Sequence, residues 1–255
     1  SDMFFLCTLL ALAAVTAILF AAPLRCKAPS ALAIVGAGAL WGCTQAVATL
    51  AGVPERLLWL LPGTLFGGDS GSMDSLSALF VLIVSVGSLA ATAYSRGYLA
   101  RYLPLKSPAH ISLHYTALVV LFYAMLGVVL SDGGYSFLFF WELMTVASFL
   151  LILFDAERRE VRRAALSYLI MMHIGFVLLV VGFVRLEAVT GSAAFGALAE
   201  YFRTQPALPL FAVFLAGFGM KAGLFPMHVW LPEAHPAAPS HVSALMSGVM
   251  IKTGV

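Results

Sequence analysis

Charge is what this chain has least of. Only 10% of its 255 residues are Asp, Glu, Lys or Arg, while 62% are hydrophobic. Soluble domains carry about 25% charged residues, so a water-soluble globule is excluded. The net charge of +2 gives no reason to expect a polyanionic partner. Without clustered Lys and Arg or a Gly-rich phosphate loop, nucleic-acid and nucleotide binding are excluded too. Cysteine is scarce: Cys7, Cys26 and Cys43 are not paired at metal or redox spacing, so no zinc site or sulfur-ligated cluster is indicated. No cofactor is expected, and any electron-transfer centre belongs on another subunit. A nucleophile elbow and a two-His-plus-carboxylate cluster are also missing, which leaves no catalytic centre in the chain itself.

What is present is a succession of long apolar runs. With no water in a bilayer core, spanning segments must be helices or closed barrels, and continuous runs of about 18–25 residues select helices over ten-residue alternation. The fold class is therefore all-α, a polytopic transmembrane bundle. Eight spans are expected near 3–22, 30–50, 73–95, 112–131, 136–154, 164–186, 207–223 and 241–255. Turn residues or charge separate them at Pro23–Arg25, Gly52–Pro54, Leu103-Pro104, Asp132–Gly134 and Asp155–Arg163. Ser72 and Asp74 are expected to cap the third span. The 193–203 stretch, with Phe195, Leu198 and Phe202 on one side, is expected to lie along the surface. The eighth run is too short to cross and ends in mid-helix, so the sequence is expected to be part of a longer subunit.

Basic residues set the orientation. Arg25, Lys27, Arg96, Arg101, Lys106, Arg158, Arg159, Arg162 and Arg163 fall after spans one, three and five; the other side holds only Arg56, Arg185 and Arg203. The positive-inside rule puts the richer loops in the cytoplasm and the N-terminus outside an inner, cytoplasmic membrane.

A few ionisable residues interrupt the apolar runs, and a charge at that depth costs from a few to more than ten kcal/mol. Glu142 lies in WELMTVASFLLI with no basic residue three or four positions away, so its partner must come from another helix, unless it reaches headgroups at a helix end. Lys221 is bracketed by Gly217, Gly219, Gly223 and Pro226, a composition that breaks a membrane helix and exposes carbonyls at depth; the bland alternative is a lysine snorkelling to the interface. The proline-rich connection 226–241 carries His228, His235 and His241, and Lys252 follows it. His228, Lys221 and Lys252 suggest a relay of groups with tunable protonation. His173 sits deep in its own span. For each histidine a satisfied structural role competes with a proton role, and His110 and His114 are assigned none.

The segments MDSLSALF (73–80), WELM (141–144), SYLIMMHIG (167–175) and 218–255 resemble the antiporter-like membrane subunits of respiratory complex I, Mrp-type antiporters and membrane-bound hydrogenases. The likeness is greatest to the large membrane subunit of formate hydrogenlyase of the hydrogenase-4 type. It implies two inverted five-helix repeats, each with one broken helix. Residues 1–111 would be variable N-terminal helices and 112–255 most of the first repeat. It also implies that Glu142, Lys221 and Lys252 carry protons driven by redox chemistry in peripheral subunits; His228, His173 and His241 are proton-transfer candidates from the reading of the residues alone. The partners would be membrane and peripheral subunits of a redox complex, the lipid bilayer, and protons or sodium. Sodium/proton exchange, or a scaffold that moves nothing, are the rival readings. The orientation can be checked with reporter fusions: insertion at 104–106 should give a cytoplasmic signal and insertion near Gly191 an external one; reversed signals would invert the topology.

Overall fold

The computed structural model describes the backbone of residues 2–52 and 73–254, with side chains from residue 10 onward. Among these residues every regular element is a helix, apart from an isolated β-bridge between Gly133 and Ala194. The main helices are α1 (Asp2–Ala21), α2 (Leu24–Leu50), α3 (Ser75–Ala100), α4 (Pro108–Leu130), α5 (Gly134–Ile152) and α6 (Arg159–Thr190). They are followed by α7 (Leu198–Thr204), α8 (Ala207–Ala222), α9 (Leu231–Ala237) and α10 (Ser240–Gly248). Helices α2 through α6 are long and apolar enough to cross a membrane. At 16 residues, α8 rises only ~24 Å, less than the ~30 Å hydrocarbon core. The expected last span is shorter still, because α10 gives way to a 3-10 turn over Met250–Gly254.

Packing follows residue size. The buried face of α2 runs through Ala31, Val35, Gly38, Ala39, Gly42 and Ala46, a small-residue row that lets backbones approach closely. Across Gly42 lie Val81 and Ser85 of α3. Helix α4 is the hub: 78% of its central window is buried, against 28% for α2 and 33% for α6. The outer helices turn apolar side chains outward, among them Leu40, Leu76, Val86 and Ile170, as a lipid-facing surface requires.

Local chemistry defines the ends. Asp74 is the N-cap of α3, accepting from the Ser77 amide at 2.7 Å; Ser72 and the Val53–Pro54 break lie outside the described residues. Ser107 caps α4, with Pro108 as its first residue. At the expected Asp132–Gly134 break, backbone bonds to Ala193 and Phe195 join the start of α5 to the segment after α6. Phe195 packs on Phe137 and Phe183, and in α7 it is Tyr201 that is buried while Phe202 is 42% exposed.

Two basic readings change. Arg159, Arg162 and Arg163 lie on the first turns of α6. Lys27 is not a loop residue: it is 2% exposed and its ammonium donates to the Leu19 carbonyl at 2.9 Å and to the Ser112 hydroxyl. A cation on the last carbonyls of α1 satisfies acceptors the helix cannot.

A Cβ at Gly127 would run into the Phe140 ring, whereas one at Gly97 meets nothing within 4 Å. Gly127→Ala is expected to destabilise the folded protein by ~1–3 kcal/mol through overpacking, while Gly97→Ala stays neutral or gains slightly. Thermal unfolding of the detergent-solubilised protein would read the difference.

Candidate functional site

Lys221 is on the last turn of α8, where Gly223 adopts a left-handed conformation (φ 71) and its amide closes on Gly219. Only glycine takes that conformation without penalty. Beyond it the chain runs through turns, including a cis Phe225-Pro226 peptide, to α9. The expected break is therefore real, and it leaves the lysine at a helix C-terminus, where the backbone dipole favours a cation. Trp230 donates its indole N–H to the Met220 carbonyl at 2.9 Å, satisfying one acceptor that the break exposes.

The side chain does not snorkel: Lys221 is 1% exposed. Its ammonium donates to the Thr145 hydroxyl of α5 at 2.9 Å and to the Tyr168 hydroxyl of α6 at 3.3 Å. It also stands 5.4 Å from the centroid of the Trp141 ring, within cation–π range. Tyr168 shares a 2.6 Å hydrogen bond with Ser148. Among the described residues no ion pair includes Lys221. A hydroxyl accepts from an ammonium and donates to a neutral amine, so this cage suits either protonation state.

Glu142 lies one turn before Thr145 on α5 and finds its partner on α6, as expected of a helix that cannot satisfy it locally. Its Oε1 is 3.1 Å from His173 Nε2. His173 Nδ1 is 3.0 Å from the Leu169 carbonyl. A carbonyl only accepts, so that nitrogen carries hydrogen. The neutral ring would then turn a lone pair toward the carboxylate, and the contact holds only with a proton between them. Glu142 and His173 form a one-proton unit. The second carboxylate oxygen of Glu142, Oε2, is buried without a hydrogen-bond partner among the described residues.

The remaining sequence candidates are dispersed. Lys252 is exposed and turns back to the Ser247 carbonyl at 3.1 Å. Its 3-10 turn does reach the site: Gly254 lies against Lys221 and Phe218. His228 sits in the turn before α9, its ring 5.6 Å from Phe225 and its Nδ1 buried without a hydrogen-bond partner among the described residues. Direct hydrogen bonds do not join His228, Lys221 and Lys252 in series. His241 is 2% exposed and meets His114 of α4, Nε2 to Nε2, at 2.9 Å. His114, given no role from sequence, is thus half of a buried pair. Tyr168, Thr145 and Ser148 were also passed over; their one visible signal is being polar in otherwise apolar runs.

Residues 131–255 match the family described as NADH:quinone oxidoreductase/Mrp antiporter, TM. The chain belongs to this antiporter-like membrane-subunit family. It is 39% identical over 201 residues to an uncharacterized protein of Mycobacterium tuberculosis, covering 77% of this chain and 29% of that protein. It is 37% identical to hydrogenase-4 component B of Escherichia coli, covering 72% of this chain and 27% of that protein. A putative antiporter subunit mnhA2 of Staphylococcus saprophyticus is 31% identical, at 72% and 23% coverage. The chain thus spans less than a third of the length of these relatives. Its fold matches a chain of the archaeal membrane-bound sulfane sulfur reductase (TM-score 0.79, 18% identity, 99% of this chain and 51% of that one). It also matches one of the Mrp complex of Dietzia (TM-score 0.76, 20% identity, 99% and 46%).

On the loop side, Lys106 bridges to Asp155 at 3.2 Å and Glu157 at 2.6 Å. Burial opposes the Lys106 charge, but Glu157 and then Asp155 outweigh it and raise the amine above its ordinary range. Lys106 in turn holds Glu157 below the ordinary carboxylate range. A raised amine stabilises below its unfolded-state pKa and loses that contribution as pH climbs through the folded value. A depressed carboxylate stabilises above its unfolded-state pKa and loses that contribution as pH falls through the folded one. The clamp should therefore be tightest between the two ranges. Amide exchange over 101–107 and 153–158, corrected for intrinsic rates, is expected to rise at both extremes and to lose this pH dependence in Lys106→Met.

Proposed function

We propose that this chain is the N-terminal part of a membrane subunit that translocates protons in a redox-driven assembly of the hydrogenase or complex-I type. The observation that carries this reading is the burial of Lys221 against neutral hydroxyls. Taking an ammonium out of water costs several kcal/mol even after relaxation, and a direct carboxylate would be the usual compensation. A cage that serves the charged and the neutral amine alike fits a group that changes protonation in use. The Glu142–His173 unit stands on the same two helices, α5 and α6, and supports the reading as a second group that holds one exchangeable proton.

In this account Lys221 takes up and releases the translocated proton, and the charge state of Glu142 with His173 biases it across α5 and α6. Moving one charge across 100 mV requires about 2.3 kcal/mol, within reach of redox-driven rearrangement. The names of the relatives, a hydrogenase component and an antiporter subunit, support a setting among other membrane and peripheral subunits. The orientation proposed is the one the basic residues favour, with the N-terminus outside an inner membrane.

The test uses the complete subunit in its intact complex, reconstituted into proteoliposomes. Lys221→Met should abolish redox-driven acidification, and Glu142→Gln should lower it at least tenfold, with assembly verified for both. Wild-type pumping in both variants would overturn the reading.

A further inference from the structure

The buried pair of His114 and His241 has a property that neither residue has alone. Two neutral imidazoles at 2.9 Å between Nε2 atoms require one ring to donate through Nε2–H and the other to accept. The donor ring then leaves Nδ1 as a bare lone pair, and the acceptor ring carries its hydrogen on Nδ1. Both Nδ1 atoms are buried and lack a hydrogen-bond partner among the described residues. Two orphaned, complementary atoms, one on each ring, point to water or a transferring proton, since buried polar groups are seldom left unpaired.

The surroundings connect this pair outward and inward. One turn toward the loop, His110 is half-buried, and its Nε2 donates to the Phe154 carbonyl at 2.9 Å. Both His110 and His114 rings pack on Phe154, at 5.0 and 4.9 Å. Tyr98 and Tyr94 of α3 face His241, and Arg101 covers Tyr98. Toward the interior, α10 runs from His241 to Gly248, about 10 Å at helical rise, and in the 3-10 turn just beyond it the Met250 sulfur meets the Tyr168 hydroxyl at 3.9 Å. That hydroxyl is one of the two that hold Lys221. The facing titratable and charged groups are therefore His110, Tyr115, Tyr98, Tyr94 and, beyond the tyrosines, Arg101; among the described residues no carboxylate pairs with either ring.

We propose that His114 and His241 form a one-proton relay station between the loop-side surface at His110 and the Lys221 cage. This rests on the proton-translocating reading above. A proton binds the bare Nδ1 of the donor ring; that ring's Nε2–H bond breaks as a new one forms on the partner's Nε2; the partner's Nδ1 then releases its proton to water on the far side. One proton enters and one leaves, and no electrons move. The tautomers are exchanged afterwards, and before the next transfer the rings part and each returns to its starting tautomer by releasing one proton to water and taking one up at its other nitrogen. A second simultaneous proton is refused, because two Nε2–H groups would face each other at hydrogen-bonding distance.

Glutamine separates relay from packing, since its amide can bond to the remaining imidazole but cannot be protonated at these pH values. His114→Gln and His241→Gln, in the complete subunit within its complex, should each lower protons moved per electron transferred at least tenfold. The double variant should be no worse than either alone, as for residues acting as one unit. Wild-type stoichiometry in both single variants, with Lys221→Met inactive, would overturn the relay and leave the broader reading standing; an active Lys221→Met would overturn that reading instead. Should the glutamine variants fail to assemble, infrared difference spectra of the wild-type complex with isotope-labelled histidine placed at position 241 alone decide the matter. A histidine protonation band on turnover supports the relay, and its absence sinks it.

Discussion

An ammonium group buried among hydrocarbon must find oxygen atoms, and the arrangement of the second half of this bundle answers that need. Lys221 belongs to α8, but the atoms that hold it come from α5 and α6, separated from it by 76 and 53 residues. For them to meet, α8 must end where it does, and Gly223 ends it. Trp230 then covers the severed end, packing on Tyr168 at 5.1 Å while bonding to the Met220 carbonyl. Break, cage and cover are one construction around a single charge.

The cage is neutral, and that has a consequence for the rest of the chain. A carboxylate in contact with Lys221 would hold the proton on the amine by direct Coulomb attraction, which is strong where water is excluded. Here the carboxylate on the same face of α5, Glu142, is engaged by His173 instead. Charge at the lysine is therefore influenced at a distance and not locked by contact. The same economy appears at two further buried polar groups. Lys27 is bound by carbonyls and a hydroxyl, which closes the end of α1. His114 and His241 satisfy one another through one nitrogen each. Each centre contains few polar atoms, because every additional one in a dry interior would need its own partner.

Much of the fold was legible in the sequence. Hydrophobic length announced the helices, and Gly223 with Pro226 announced the break after Lys221, because backbone conformation at those residues is a local property. Glu142 advertised a partner on another helix by lacking one on its own. The reading went astray where local and distant terms competed. Lys27 looked topogenic because its neighbours are a proline turn and an arginine, yet packing of α1 and α4 encloses it. Lys252 was expected on a continuing helix, but its segment tightens into a 3-10 turn and the amine folds back on its own chain.

Composition and pattern alone determined that the chain is a membrane bundle of helices, where its main interruption falls, and which charges are out of place in lipid. Those follow from solvent transfer and backbone sterics, which act on residues near in sequence. Only the tertiary structure decided the partners: Thr145 and Tyr168 for Lys221, His173 for Glu142, His114 for His241. The last pair is 127 residues apart, and a hydrogen bond of under 3 Å depends on how helices pack, a quantity that no spacing along the chain encodes.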